Sequence, residues 1–557
     1  MPLKITYPLE GHETAESSTF FVGSVSAGEC LKINDEAVSV SPSGYFSHLV
    51  SLNLGKNDFV LQAGEETAQR NIIRHTAPIL LDIFFKSTPP TIESNLNTDV
   101  SVLSGNYFRF WVRLPRHVSA TLSLSGREVP LTPLASVRNH PHVFGYPHQA
   151  EAIPEDSVLY TAVLETSSFP PETPFQAELI IQYKEQEQRI ALKGSFNVWA
   201  TPRFAKILTE KAISRYAPDI GARLTPQLKN TIFGVNRIEE NWAYSKAAHF
   251  WITLSDLELS ETPFAITPNY LRSIHADFNQ QIKLELYSDV QIPVDIQASE
   301  TNLTLKFLET LSLCDLIRVT QAARLVGLEN ITCSMSSEQT TEVIIQLSSS
   351  LFGYQLSYLA EKQAYQLIIK TKKNLEEKIR ILIDPGHGGE ELGAIAPNGQ
   401  AEKDLNLHLA QKLAAILKTK PQLEVALTRE SDTTVSLDAR LQASQTWQTD
   451  LFISLHHNAL PDGRDPAKER GLVTFYYHVF SQPLAKHIQD MLLEKTDFPD
   501  YGLSQNSLAM CRQSHCLSLL LECGFLTHPF DAELSLSESH QENFVAALAQ
   551  AINDLMT

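Results

Sequence analysis

The sequence predicts a multi-domain protein in which several N-terminal all-β modules precede a C-terminal α/β domain with a mostly parallel central sheet. The chain has 557 residues, of which 43% are hydrophobic and 20% are charged, so it is globular in composition and long enough for several cores. Up to residue 373, apolar residues mostly alternate at period two, which is typical of strands. After residue 378, short apolar runs and an amphipathic helical pattern follow each other, which is typical of an α/β domain.

Residues 1–80 are predicted to form the first β module. Leu31 and Ile33, and later Phe59 and Leu61, alternate with polar residues, and turn residues such as Ser43 and Gly44 separate the short strands. Short strands at this spacing suggest a small sandwich, and the pattern resembles bacterial immunoglobulin-like modules, which are usually spacers or adhesion units. No residue of this module suggests catalysis.

Residues 81–199 are predicted to form a second β-rich module. His140, His142 and His148 cluster there, which invites a metal-site interpretation. These histidines lie in a proline-interrupted loop without partnering cysteines, so we expect a solvated loop instead.

Two smaller β modules are predicted to follow. Residues 200–260 contain aromatic runs such as Trp242-Ala243-Tyr244 and resemble a small src-homology-three-like barrel. Residues 265–373 alternate as strands again, as in Ile282-Lys283-Leu284-Glu285-Leu286. A polar link then leads into the C-terminal domain, residues 378–557.

The C-terminal domain opens with a predicted buried strand and a glycine-rich turn. The apolar run from Ile379 to Ile383 breaks at Asp384-Pro385-Gly386, and His387 lies in that turn. Further along, Glu402 opens an amphipathic helix whose apolar residues repeat at helical spacing. A histidine on a strand-end loop and a glutamate at a helix start are two plausible ligands for one ion.

Two later strands also end in polar side chains. The apolar run at 450–455 leads to His456 and His457, and the run at 517–521 leads to Glu522. In open α/β sheets, ligands bind in the crevice outside the carboxyl ends of the strands, where residues distant in sequence converge. We therefore expect two histidines and two glutamates of this domain to share one crevice.

Five motifs of this domain stand in a characteristic order. They are Ile-Asp-Pro-Gly-His-Gly-Gly at 383–389, Ala-Glu-Lys-Asp at 401–404, Leu-Thr-Arg-Glu-Ser-Asp at 427–432, Ser-Leu-His-His-Asn at 454–458 and Leu-Glu-Cys-Gly-Phe at 521–525. Together they resemble the zinc-dependent N-acetylmuramoyl-L-alanine amidases, which cut bacterial peptidoglycan. The resemblance covers only residues 378–557, and several motifs in the right order are more specific than one match.

The resemblance implies that His387, Glu402 and His456 bind Zn²⁺ and that Glu522 is the catalytic acid/base. Catalytic zinc takes three nitrogen or oxygen ligands and leaves a fourth position for water, which these residue types satisfy. Zinc lowers the pKa of its water to about 7, and a nearby carboxylate can move the proton to the departing amine. A buried glutamate without a partner is costly, so we expect Glu522 to lie in a polar crevice or beside a cation.

The neighbouring histidines have simpler explanations. His408 follows Glu402 by six residues on the predicted helix, which turns its side chain about 120° away from the glutamate, so we expect it to miss the ion. Successive side chains of a strand point to opposite faces, so only one of His456 and His457 is favoured as a ligand. The family pattern selects His456, and we expect His457 to be a pocket-rim or structural residue. An early-helix glutamate is also favourable at a helix dipole without any ion.

The predicted function is hydrolysis of the amide bond between N-acetylmuramic acid and L-alanine in peptidoglycan, so the expected partner is the wall polymer with its glycan and stem peptide. Residues 265–373 resemble AMIN-type β-modules, which position such amidases on the wall. The aromatic residues of 200–260 are expected either to bind wall peptides or to fill the barrel core. Two alternatives stay open: a zinc peptidase or amidase of the same fold acting on another amide, and a non-catalytic wall-binding scaffold.

Other features bound the partners and the location. A net charge of -19 argues against a nucleic-acid surface, and no stretch reaches the ~18 apolar residues of a membrane span. The first residues lack the basic segment, apolar core and cleavage site of a secretory signal. The function favours the periplasm or cell wall, whereas the missing signal leaves the cytoplasm as the alternative. The six cysteines lack zinc-knuckle spacing and are expected to be buried free thiols.

Overall fold

The computed structural model describes residues 3–75, 92–134, 157–219, 223–265, 268–337, 339–372 and 378–555. These residues form several β-rich units followed by an α/β unit, as the sequence predicts. The proposed loop histidines His140, His142 and His148 lie outside the described residues. None of the described helices combines the length and the apolar character that crossing a bilayer requires.

Residues 3–75 fold into two sheets around one core. The strands are β1 Lys4–Tyr7, β2 His12–Thr14, β3 Ser18–Ser24, β4 Leu31–Ile33, β5 Glu36–Val38, β6 Tyr45–Ser51, β7 Gly55–Ala63 and β8 Glu66–Arg74. The strand orders are β1-β3-β6 and β2-β8-β7-β4-β5. Along β7, Phe59, Leu61 and Ala63 are buried between exposed neighbours, as a strand with one core face requires. On β3, by contrast, every residue from Thr19 to Ser24 is buried.

The described residues between 92 and 260 contain the next seventeen strands. They are β9 Glu93–Ser94, β10 Val100–Leu103, β11 Tyr107–Pro115, β12 Ser119–Leu124, β13 Arg127–Pro130, β14 Thr132–Pro133, β15 Ser157–Glu165, β16 Phe175–Tyr183, β17 Gln186–Trp199, β18 Arg203–Ile207, β19 Lys211–Arg215, β20 Arg223–Leu228, β21 Ile232–Val235, β22 Arg237–Glu239, β23 Trp242–Ser245, β24 Phe250–Thr253 and β25 Leu257–Ser260. Their sheets have the orders β13-β12-β16-β17-β10-β22-β23-β24-β19-β20, β14-β15-β11-β9 and β21-β18-β25. Five strands of this ten-stranded sheet lie between residues 100 and 199, and the other five lie between residues 211 and 253. The antiparallel pairing of β10 with β22 joins the two sets.

Several aromatic side chains of the segment 223–260 are buried. Phe233, Phe250 and Trp251 are buried, and the rings of Phe233 and Phe250 meet edge to face with centroids 5.2 Å apart. Arg237 stacks over the Trp251 ring at 4.4 Å. Phe233 and Phe250 therefore belong to the core cluster of this unit, whereas Trp251 is not part of that cluster and packs under Arg237.

Residues 268–372 form two further sheets and one short helix. The elements are β26 Asn269–Asn279, β27 Gln281–Ser288, β28 Val294–Ala298, β29 Asn302–Leu308, β30 Thr310–Val319, α1 Gln321–Leu325, β31 Leu328–Ser337, β32 Thr340–Leu347, β33 Leu351–Leu359 and β34 Ala364–Thr371. The strand orders are β30-β26-β27-β34-β33 and β28-β29-β32-β31. We call residues 268–372 the preceding module.

Residues 378–555 form the α/β unit. Its elements are β35 Ile379–Pro385, α2 Glu402–Leu417, β36 Leu423–Leu427, α3 Leu437–Thr446, β37 Leu451–Asn458, β38 Leu472–Tyr476, α4 Gln482–Lys495, β39 Asp500–Gln505, β40 Leu517–Phe525, α5 Pro529–Leu536 and α6 Glu538–Asp554. The strand order is β36-β35-β37-β40-β38-β39. The sheet is mixed, because β38 runs antiparallel to β40 while the other four pairings are parallel.

Helices cover both faces of this sheet, which explains its apolar central strands. Helices α2 and α4 both pack against α6, and α2 buries Leu405, Leu409 and Leu413 at a spacing of four residues. On the other face, Leu441 of α3 packs towards Phe452 of β37. All nine residues of β40 are buried, as expected for a strand covered on both sides.

The preceding module packs on the α/β unit at the amino-terminal edge of the sheet. Lys370 donates from Nζ to Asp450 Oδ1 at 2.9 Å, one residue before β37 begins. Tyr354 meets the rings of His478 and Phe480 with centroids 5.9 and 6.1 Å apart. Apolar residues of both units form one continuous buried cluster.

The cysteines are free thiols, and the expectation that they are buried needs one correction. Cys511, Cys516 and Cys523 are buried, whereas Cys314 and Cys333 are half-buried. Cys30 is exposed, because it lies in a surface turn before β4 and not on the core face of a strand. The prediction of burial is therefore wrong for Cys30.

Candidate active site

Three of the four predicted site residues have their side chains together at the carboxyl edge of the sheet. His387 lies in the turn after β35, Glu402 is the first residue of α2, and His456 lies near the end of β37. One potential ligand atom from each of the three lies within 4.8 Å of the other two. Glu402 Oε1 is 3.3 Å from His387 Nε2 and 3.0 Å from His456 Nδ1.

The Glu402 carboxylate is the centre of this group. Its Oε2 accepts a hydrogen bond from the backbone N–H of Ala394 at 2.8 Å, and its Oε1 accepts one from the N–H of His457 at 3.1 Å. Burial alone would raise the pKa of Glu402, but hydrogen bonds from His387 and His456 hold it well below the usual range. Burial alone would lower the pKa of His387, and the Glu402 carboxylate more than offsets this, so the net shift is upward.

Two glycines make room for these side chains. A Cβ at Gly386 would lie 2.2 Å from the His456 ring, and a Cβ at Gly393 would lie 2.4 Å from Glu402 Oε2. His387 itself has φ of 58°, a left-handed conformation that is uncommon outside glycine. Residues held in such sparsely populated backbone conformations cluster at functional sites.

Glu522 lies beside the three-residue group on the neighbouring strand. In the parallel pairing of β37 with β40, Glu522 is the direct partner of His456. Its side chain is only 5% exposed, and its Oε2 has no hydrogen-bond partner. Burial and the nearby Glu402 carboxylate raise the pKa of Glu522 well above its usual value. Two buried carboxylates this close favour a cation or a proton between them.

The other histidines lie apart from this group. His457 points the opposite way from His456, is buried, and donates from Nδ1 to Asn406 Oδ1 at 2.8 Å. Burial lowers its pKa to about 4, so it is neutral at pH 7. His408 is half exposed and lies 3.4 Å from Glu538.

Asn406 is a positioning residue that sequence reasoning did not single out. It lies one helical turn after Glu402 on α2, and its side-chain amide donates to Glu402 Oε1 and to the Gly386 carbonyl, both at 3.3 Å. Since its oxygen accepts from His457, it links the helix, the turn and β37. The sequence does indicate that Asn406 lies next to Glu402, because residues four apart on a helix are neighbours.

A buried charge network holds the turn that carries His387. Asp384 accepts hydrogen bonds from Arg440 and Thr428 at 2.6 Å and from Ser454 at 2.7 Å. Arg440 also donates to the carbonyls of Pro385 and His387, both at 2.7 Å. Through these bonds the network fixes the backbone that carries His387.

Arg429 completes this network from the other side of the turn. Its Nη2 donates to the carbonyls of Gly386 at 2.9 Å and Lys403 at 2.8 Å, which joins the turn to the first residues of α2. The sequence motif containing Arg429 contributed to the family resemblance, but no role was predicted for the residue.

Replacing Arg440 with alanine is expected to lower the free energy of unfolding by about 3–5 kcal/mol, because Asp384 would remain buried with its charge unpaired. Urea unfolding of the purified protein measures this change. Lys486→Ala removes an exposed pair with Asp490 and should cost less than about 1 kcal/mol. Equal effects of the two substitutions would contradict the role given to Arg440.

Two imidazoles and a carboxylate in contact, with a second buried carboxylate alongside, form a donor set typical of hydrolytic sites. Their position at the carboxyl edge of an α/β sheet is also where enzymes of this class bind substrate. The fold and the site therefore place the protein among the hydrolases.

The chain belongs to the N-acetylmuramoyl-L-alanine amidase family, whose sequence profile matches residues 381–554. N-acetylmuramoyl-L-alanine amidase LytC of Bacillus subtilis is 35% identical over 174 residues, covering 31% of this chain and 34% of that protein. N-acetylmuramoyl-L-alanine amidase CwlM of Bacillus licheniformis is 33% identical over 183 residues, covering 31% of this chain and 69% of that protein.

A solved structure gives a similar match. The N-acetylmuramoyl-L-alanine amidase from Clostridium difficile 630 is 30% identical, with 32% of this chain and 97% of that chain covered and a TM-score of 0.31. The alignments thus span about a third of this chain and between a third and nearly all of the relatives' lengths.

Proposed function

We propose that this protein is a zinc-dependent hydrolase that cleaves the amide bond between N-acetylmuramic acid and L-alanine in peptidoglycan. The observation that carries the proposal is the contact of His387, Glu402 and His456 beside the buried Glu522. Family membership supports the choice of this amide over others.

The residues present fit a zinc ion. Three ligand atoms from two imidazoles and one carboxylate lie close enough to bind a single ion, and a positive charge there would offset the repulsion between Glu402 and Glu522. His387, Glu402 and His456 would hold the ion. When bound, zinc would polarise the scissile carbonyl and make a water acidic enough to attack it near neutral pH.

The protein's own groups supply the proton transfers. Glu522 has a free, buried Oε2, so its carboxylate can take the proton from the attacking water. The same carboxyl can then give that proton to the alanine nitrogen as the carbon–nitrogen bond breaks. The products are a lactyl carboxylate on the glycan and a stem peptide with a free amino terminus. The raised pKa of Glu522 suits both halves of this exchange.

Digestion of purified peptidoglycan tests the function directly. We expect the products to be stem peptides beginning with L-alanine and glycan with intact lactyl groups, both identified by mass. Treatment with a chelator should abolish product formation, and added Zn²⁺ should restore it. Cleavage within the stem peptide would support the alternative of a peptidase, and binding to the wall without cleavage would support the scaffold alternative.

The cellular location follows from the substrate. Since the proposed substrate is the wall polymer, we infer a site of action in the periplasm or cell wall, and relatives named cell wall amidases support this. The preceding module and the other β units are proposed to hold the enzyme on the polymer.

A further inference from the structure

The first module, residues 3–75, touches three segments that border the candidate active site. Lys4 donates from Nζ to the carbonyl of Asn398, in the turn between His387 and Glu402. Ser43 donates to Glu533 of α5, the helix that follows Glu522 on β40. The third segment is the loop 459–463, which directly follows His456 and the end of β37. Each stretch that carries a site residue therefore meets the first module.

The contact with loop 459–463 centres on Asp462. The carboxylate of Asp462 is largely buried and accepts hydrogen bonds from Tyr7 Oη at 2.6 Å and Thr19 Oγ1 at 2.5 Å. Its other oxygen lies 2.8 Å from His12 Nε2. All three partners belong to the first module. The backbone N–H of Gly463 also donates to the Ser18 carbonyl at 3.0 Å.

An apolar contact lies next to this polar one. Phe20 and Val22 of β3 are each only 1% exposed and form a buried cluster with Leu460 and Phe525. Because Phe21, between them, packs into the module's own core, β3 is buried on both faces. A module attached only by a flexible tether would expose one of these faces.

The contacted residues continue directly from the strands that carry the site. Leu460 follows the end of β37, and Phe525 lies three residues after Glu522 on β40. Asn458 and Phe525 are paired across these two strands, and the Leu526 N–H donates to the Asn458 carbonyl at 2.8 Å. If the first module shifted against Leu460 and Phe525, the ends of β37 and β40 would move with it. Misplacement of a catalytic group by about 1 Å can cost about 10²-fold in rate.

We propose that the first module is a fixed part of the catalytic cleft and that Asp462 is a positioning residue for the amidase reaction. Its hydrogen bonds to the module hold the ends of β37 and β40, and with them His456 and Glu522, in the reacting geometry. This inference rests on the proposed function. It gives residues 3–75 a role in catalysis beyond that of a spacer.

Asp462→Ala in the full chain tests the proposal. We expect kcat on a soluble N-acetylmuramoyl peptide to fall about 10-fold to 100-fold, with little change in KM and with normal zinc content by metal analysis. Asp462→Asn keeps an oxygen acceptor for Tyr7 and Thr19, so it should restore part of the rate. A residue that only stabilised the fold would not show this graded effect on kcat at a temperature where all variants are folded.

Lys370→Met is the matched control, because it breaks a contact between a different β module and the α/β unit. Asp450, its partner, lies one residue before β37, and His456 near the other end of that strand is about 20 Å away at ~3.3 Å per residue. We expect wild-type kcat for this variant. If Asp462→Ala fails to fold, Tyr7→Phe removes one of the hydrogen-bond donors to Asp462 and should also lower kcat, by less than the alanine substitution would.

Amide hydrogen exchange separates failure of this proposal from failure of the proposed function. Asp462→Ala should speed exchange at Gly463 and Leu526 and leave exchange in β35 unchanged. Wild-type kcat in Asp462→Ala, or unchanged exchange at both amides, would overturn the positioning role. If the wild-type protein cleaves no muramoyl amide, the proposed function fails, and the exchange result alone then decides whether Asp462 fixes the strand ends.

Discussion

Replacing Glu522 with glutamine should reduce kcat by about 10²–10⁴-fold while zinc stays bound. The substitution keeps the size of the side chain but removes the carboxylate that is proposed to take up and return the proton. It also removes one of two buried carboxylates, so the fold should be as stable as that of the wild type or more stable. Turnover of a soluble N-acetylmuramoyl peptide and metal analysis of the same sample measure the two effects.

Glu494→Gln provides the control for this experiment. Glu494 is exposed on α4, and the same chemical change there should leave kcat unaltered. Near-native turnover in Glu522→Gln would show that another group carries the proton, and loss of zinc would show that Glu522 is a ligand.

Replacing His387 with alanine should remove zinc and activity together. In the proposed site His387 supplies one of three ligand atoms, and the two remaining ligands would form a much weaker site for an ion that prefers three protein ligands. We expect zinc below a tenth of the wild-type content after dialysis and no detectable product.

His408→Ala is the control for the His387→Ala experiment. His408 also lies close to Glu402 in sequence, on the same helix, but it faces Glu538. Its loss should change neither zinc content nor rate. A bound zinc ion in His387→Ala, or a loss of zinc in His408→Ala, would require a different set of ligands.

The strands and the position of the site could be predicted because both follow from local patterns. The apolar runs before His387, His456 and Glu522 are covered by helices on both sides, and parallel neighbours bring their carboxyl ends together. The helical rotation that separates His408 from Glu402 is equally local.

A partner for the buried Asp384 can be predicted from the sequence by the same reasoning as for Glu522. Asp384 directly follows an apolar run of its strand, as Glu522 does, so a buried carboxylate at either position needs a partner. The partners Arg440 and Thr428 lie 56 and 44 residues away, and no local pattern identifies them. The sequence therefore indicates that Asp384 needs a positively charged partner, but it does not identify Arg440 as that partner.

The sequence of β3 indicates that the first module is covered by another part of the protein. A strand of a small sandwich should alternate, yet Thr19-Phe20-Phe21-Val22 is an almost continuous apolar run. Such a run indicates a covered outer face. What covers it could not be inferred, because Asp462 lies about 450 residues away along the chain.

The shared cluster of apolar residues between the preceding module and the α/β unit bears on how the protein melts. Tyr354 and Phe352 of the module and Phe480 of the α/β unit belong to the same buried cluster. Neither half can lose its packing without exposing hydrocarbon of the other to water. We therefore expect the preceding module and the α/β unit to unfold on heating in one cooperative transition, with a shared melting temperature in calorimetry.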